Sequence, residues 1–186
     1  MQQKTEAQLA DAAGEMGRLL AGIRPEQWSA PTPCSGWDVQ ALVEHVVQGS
    51  ARFAVALGGD PQATTTEPTA AGFERNAAVL LAAAGQPGVL DRIVDVPFGR
   101  VPGAVALHLQ LTELLVHGWD VAVATGERPR FSDKLAAQEL EFTLRTLPAV
   151  PPDRNPFAPS QPVADNAPAL NRLVATLGRS VDAVTG

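Results

Sequence analysis

Apolar residues along most of this chain recur three or four positions apart, the spacing of helices that bury one face. Leu9, Ala12, Ala13, Met16, Leu19, Leu20 and Ile23 form one such stripe, with Gln8, Asp11, Glu15 and Arg18 between them. They predict a first helix over 5–22, stopped by Pro25. Gly14 and Gly17 weaken helical propensity there but let a neighbouring helix come close. A turn-rich segment, Pro31-Thr-Pro-Cys-Ser-Gly-Trp37, leads into a second stripe of Val39, Leu42, Val43, Val46 and Phe53. Ser35, followed three residues later by Asp38, fits a loose capping box, so the second helix is expected over 36–57. A third covers 70–84, ahead of Gly85. Alternation from Val89 to Val96 predicts a short extended piece or hairpin arm, and 97–103 reads as a turn. The stretch Leu111 to Ala122 reads as the centre of a buried helix over about 102–125, with Gly126 as its natural end. Another helix opens at Ser132 or Asp133 and runs to about Leu147. The segment 148–168 holds seven prolines and is expected to be irregular, and a last short helix covers 167–177. The pattern is all-α: one helical domain over 1–186, with a small extended decoration and no internal repeat.

Composition narrows the function classes. The chain has 186 residues, 45% of them apolar, enough for a sizeable core. Its net charge of −6 lacks the basic footprint of a general nucleic-acid or anionic-membrane binder. With no tyrosine and few aromatics, a base-stacking platform is not expected. No apolar run is long enough to span a membrane, and the N-terminus lacks a signal-peptide pattern. One cysteine, Cys34, excludes an intrachain disulfide and suits a reducing cytoplasm.

Two polar residues stand inside the most apolar helix. Glu113 and His117 are four apart, so their side chains leave one face, one turn from each other. An ionised Glu among Leu111, Leu114, Leu115 and Val116 is costly unless a cation or hydrogen-bond donors meet it. His45, beside the apolar stripe of the second helix, is a candidate third ligand. A set of His45, Glu113 and His117 would leave a coordination position open, as catalytic zinc sites do. Spacing alone also allows a hydrogen-bonded Glu–His pair in a core with no metal. His108 faces elsewhere and is left out of the set. Asp120, three residues after His117, is either a hydrogen-bond acceptor that orients its imidazole or a polar residue of the helix's second half. Arg52, two turns after His45, is either a binder for a carboxylate of the cofactor or substrate, or a solvated surface residue. Cys34 reads as a packed small residue rather than a nucleophile, and Trp37 and Trp119 as core or pocket-wall aromatics.

The segment Thr32-Pro-Cys-Ser-Gly-Trp-Asp-Val-Gln-Ala-Leu-Val-Glu-His45 resembles the first signature of the mycothiol-dependent maleylpyruvate isomerase N-terminal family. Glu113-Leu-Leu-Val-His-Gly-Trp-Asp-Val-Ala-Val-Ala-Thr-Gly126 resembles that family's metal-binding helix. Pro97–Gly103 and Ala169–Arg179 are similar to its single-domain actinobacterial branch. The resemblance implies a DinB-like four-helix bundle with a divalent metal, usually zinc, on His45, Glu113 and His117. It also implies mycothiol or a similar thiol as cosubstrate, and a homodimer as DinB-like bundles often form. The full isomerase carries a further C-terminal domain, whereas this chain ends at Gly186, just after the bundle. The expectation is therefore an isomerase or S-transferase acting on a small electrophile, rather than maleylpyruvate isomerisation itself. The alternatives are a metal-binding bundle without catalysis, acting as a sensor or interaction module, and a vestigial site with Glu113 paired to His117.

Overall fold

The computed structural model describes residues 2–97, 99–150 and 157–181. Four helices make the bundle: α1 (Gln2–Ala21), α2 (Val39–Ala56), α3 (Ala70–Ala84) and α4 (Gly103–Thr125). α1 and α2 each pack against both α3 and α4, so the order around the bundle is α1, α3, α2, α4. Between α3 and α4 lies an antiparallel hairpin of β1 (Ile93–Val96) and β2 (Gly99–Pro102), resting on α2 and α4. Two further helices, α5 (Asp133–Thr146) and α6 (Ala169–Thr176), pack on each other and on α4. The architecture is all-α, as the hydrophobic spacing predicts.

α4 is the axis. It is apolar on nearly every side, and such a helix is stable only when surrounded. Leu111, Leu114 and Leu115 are each at most 1% exposed. Burying a side chain of that size stabilises the fold by about 1.5–3 kcal/mol. Gly126 ends α4 in the left-handed region at φ 73°, where Gly126 N–H donates to the Val123 carbonyl and Glu127 N–H to that of Ala122. Only glycine takes this conformation without a steric cost. No helix among the described residues is long and apolar enough to cross a membrane.

α1 starts at Gln2 rather than residue 5 and α6 at Ala169 rather than residue 167, and two further readings differ. α2 begins at Val39, not Gly36, and its cap is Asp38, whose side chain accepts from Ala41 N–H at 2.9 Å. Gly36 has φ 83°, and Trp37 N–H closes a turn onto the Cys34 carbonyl, so the chain reverses there before any helix starts. The expected turn over 97–103 is in part a strand. Val94 pairs with Val101 and Asp95 with Arg100, and Gly99, at φ 119°, tightens the reversal between the arms. The 148–168 segment is irregular where it is described, apart from a single 3-10 turn at Leu147–Ala149. Residues 151–156 of it lie outside the described residues.

Candidate metal centre

α2 and α4 cross so that His45, Glu113 and His117 meet, with one ligand atom from each lying within 4.8 Å of the others. His45 Nε2 is 3.1 Å and His117 Nε2 3.4 Å from the same oxygen, Glu113 Oε2. The imidazoles stand edge to face with centroids 4.9 Å apart. Trp37 lies against both rings, 4.7 Å from His45 and 6.0 Å from His117. The turn before α2 holds that indole in place: Thr32 donates to the Trp37 carbonyl through both N–H and Oγ1.

Behind His117 is a second layer. Asp120 Oδ2 lies 3.1 Å from His117 Nδ1. A carboxylate only accepts, so Nδ1 carries the proton and Nε2 is the atom that faces Glu113 and His45. Asp120 in turn receives a two-pronged contact from Arg179: Nε to Oδ1 at 3.2 Å and Nη2 to Oδ2 at 2.8 Å. Asp120 is fully buried and Arg179 nearly so. A paired guanidinium is what makes such a buried carboxylate tolerable.

The electrostatics follow from this geometry. Burial opposes ionisation of Glu113, but hydrogen bonds and attraction from His117 and His45 outweigh it and hold the carboxyl well below the usual range. Burial likewise opposes the charge on His117, yet Asp120 and Glu113 raise its pKa to about 9. Nδ1 of the ring faces Asp120 and Nε2 faces Glu113, and the two carboxylates together favour its charged form in the metal-free chain. Asp120 is lowered because His117 and Arg179 overcome its burial. Burial pushes the Cys34 thiol up, which fits a packed residue rather than an activated nucleophile.

The three side chains form part of the wall of a cavity of about 300 Å³, together with Cys34, Trp37, Arg52 and Arg179. Arg52 is exposed and also lines a wider, open groove of about 840 Å³ along β1. On another side of Glu113 lies an apolar cavity of about 190 Å³, walled by Val105, Leu109, Phe142 and Leu177. Glu113 and Phe157 border both this cavity and the one beside the histidines. His108 faces elsewhere, as its sequence position predicts, and pairs with Glu139 at 2.9 Å.

Two nitrogens and one carboxylate oxygen are a donor set suited to zinc and similar divalent ions. The fit is supported by the Asp120 contact behind His117, of a kind that metal-ligating histidines commonly have, which keeps a proton on Nδ1 and leaves Nε2 as the nitrogen facing the other two candidate ligands. Reasoning from the sequence passed over Arg179 and Gln110. An arginine beyond a short apolar helix gives no sign that it returns to the core. Gln110 does carry a signal, being a polar residue one turn before Glu113 on an otherwise apolar helix.

The family model described as mycothiol maleylpyruvate isomerase N-terminal domain matches residues 9–95. Uncharacterized proteins from two strains of Mycobacterium tuberculosis are 35% identical over 170 residues, covering 88% of this chain and 91% of theirs. The crystal structure of the mycothiol-dependent maleylpyruvate isomerase shares the fold at TM-score 0.57 and 14% identity, over 78% of this chain and 72% of that one. The chain belongs to the mycothiol maleylpyruvate isomerase N-terminal domain family.

Proposed function

We propose that this chain is a divalent-metal-dependent protein that uses a low-molecular-weight thiol, mycothiol by family, as an isomerase or S-transferase on a small electrophile. One observation carries the reading: three ligand atoms from two helices converge at the wall of a cavity of about 300 Å³. A bound divalent cation would supply the positive charge that keeps a thiol ionised at neutral pH.

The residues divide the remaining work. His45 and His117 present Nε2 to the cation site, and Glu113 offsets its charge. Asp120 keeps the His117 proton on Nδ1, and Arg179 keeps Asp120 ionised. Trp37 covers one side of the two rings and shields them from water. Arg52, where the cavity meets the open groove, is placed to hold a carboxylate of the thiol or substrate. The apolar cavity beyond Glu113 suits the hydrocarbon part of the electrophile. A thiolate so placed either adds to an activated double bond or displaces a leaving group.

The test is metal analysis of wild type and His117→Ala, followed by calorimetric titration of both with mycothiol. The expected result is about one zinc per wild-type chain, mycothiol binding only by the zinc-loaded form, and loss of both in the variant. A wild type that takes up no zinc, or that binds mycothiol equally with and without it, overturns the reading.

A further inference from the structure

Gln110 sits on α4 one turn before Glu113 and two before His117, so the three side chains leave one face of the helix. It is 2% exposed, and its Nε2 donates to Ser50 Oγ on α2 at 3.3 Å. Its Oε1 has no partner, the one buried side-chain polar atom in that condition among the described residues. A buried polar group left unpaired costs about 1–3 kcal/mol. Turning the amide over would bring its NH2 to the same place, so the deficit does not depend on which end is called oxygen.

The surroundings suggest what removes that cost. Gln110 and Ser50 border a space of about 10 Å³ that His45, Glu113 and His117 also border. This is about the smallest volume that holds one water, which needs two to four polar partners. The Gln110 amide, the Ser50 hydroxyl and the Glu113 carboxylate are all present around it.

We infer that this space is a single-water site on the inner side of the three candidate ligands, and that Gln110 is a positioning residue for it. The water donates one hydrogen to Gln110 Oε1, which leaves a lone pair directed to where the cation would sit. The opposite side, toward the larger cavity, stays free for the thiol. The inference rests on the metal reading proposed above and adds to it a polar floor built by Gln110 and Ser50.

Gln110→Met keeps the length of the side chain and removes both polar atoms. Zinc titration and thermal unfolding of the metal-free protein should be run on wild type, Gln110→Met and Ser50→Ala. The expected results are a zinc Kd about tenfold weaker in Gln110→Met, as for loss of other groups that support metal ligands, and a smaller weakening in Ser50→Ala. The metal-free Tm should fall in both variants, since each removes a polar partner of the same water and Gln110→Met also leaves the buried Ser50 hydroxyl without its donor. Equal zinc affinity in wild type and Gln110→Met overturns this inference alone. Failure of wild type to bind zinc overturns both readings. Should Gln110→Met not fold, an unchanged zinc Kd in Ser50→Ala overturns the inference and a weakened one upholds it.

Discussion

α4 carries histidines into two carboxylate clusters, and they have opposite characters. Near its start, His108 meets Glu139 of α5, and that carboxylate is fully buried. Glu139 receives His108 at 2.9 Å, the Thr112 hydroxyl at 3.3 Å and the Gln138 amide at 3.0 Å. Those donors lie within the protein and satisfy the carboxylate. Further along, Glu113 meets two imidazoles, keeps 20% of its side chain exposed, and borders two cavities. One of those imidazoles, His117, faces both Glu113 and Asp120, which together raise its pKa. The first cluster joins two helices by itself. The second reaches a comparable balance only by retaining a proton that a divalent cation can replace.

The strongest way to probe that contrast is from behind. Arg179→Met leaves the buried Asp120 carboxylate without its guanidinium, with only the His117 ring still paired to it, and should cost about 3 kcal/mol by urea unfolding. Asp120→Asn in the same chain should recover part of that loss. Next comes the direct comparison. Glu113→Gln should lower zinc affinity by more than about 100-fold, since even the groups that only support a ligand cost 10–100-fold. Glu139→Gln should leave zinc content at the wild-type level while destabilising the fold by about 1.5–3 kcal/mol. Equal loss of zinc in both variants would erase the distinction between the clusters.

The pH response is expected to be smaller and has a defined sign. His117 rises from its ordinary 6.5 to about 9 in the folded, metal-free chain. Its contribution to metal-free stability is therefore complete below pH 6.5 and fades as pH rises through 9. Zinc competes for the same nitrogen, so its affinity should increase with pH by up to about tenfold per unit until pH 9. Calorimetry in buffers of different ionisation heat should record about one proton released per zinc. The smallest effect belongs to exposed Arg52: Arg52→Ala should weaken mycothiol binding by no more than about fivefold and leave zinc binding unchanged.

Much of this was readable in the chain, for identifiable reasons. The long apolar stretch of α4 marks a surrounded helix, and Glu113 and His117 stand out within it because charge is rare there. His45 is legible once a third ligand is sought on another helix. The start of α2 was misjudged because Ser35 and Asp38 both suit a cap, and only the reversal at Gly36 decides between them. Arg179 was not legible. Its partner is 59 residues away, and contacts at that range depend on how α6 returns to the bundle. The hairpin was half visible, since β1 alternates while β2 is short and largely exposed.

Asp120 Oδ2 serves His117 and Arg179 at once, so a change in one contact is felt in the other. A divalent cation on Nε2 would restore positive charge beside that oxygen, whereas loss of the His117 proton from Nε2 to base removes it and leaves Arg179 its principal counter-charge. The segment following α6 should then be gripped more tightly, and its amide hydrogens should exchange more slowly. A stretch of chain that contributes no candidate ligand would in this way report on the state of the centre.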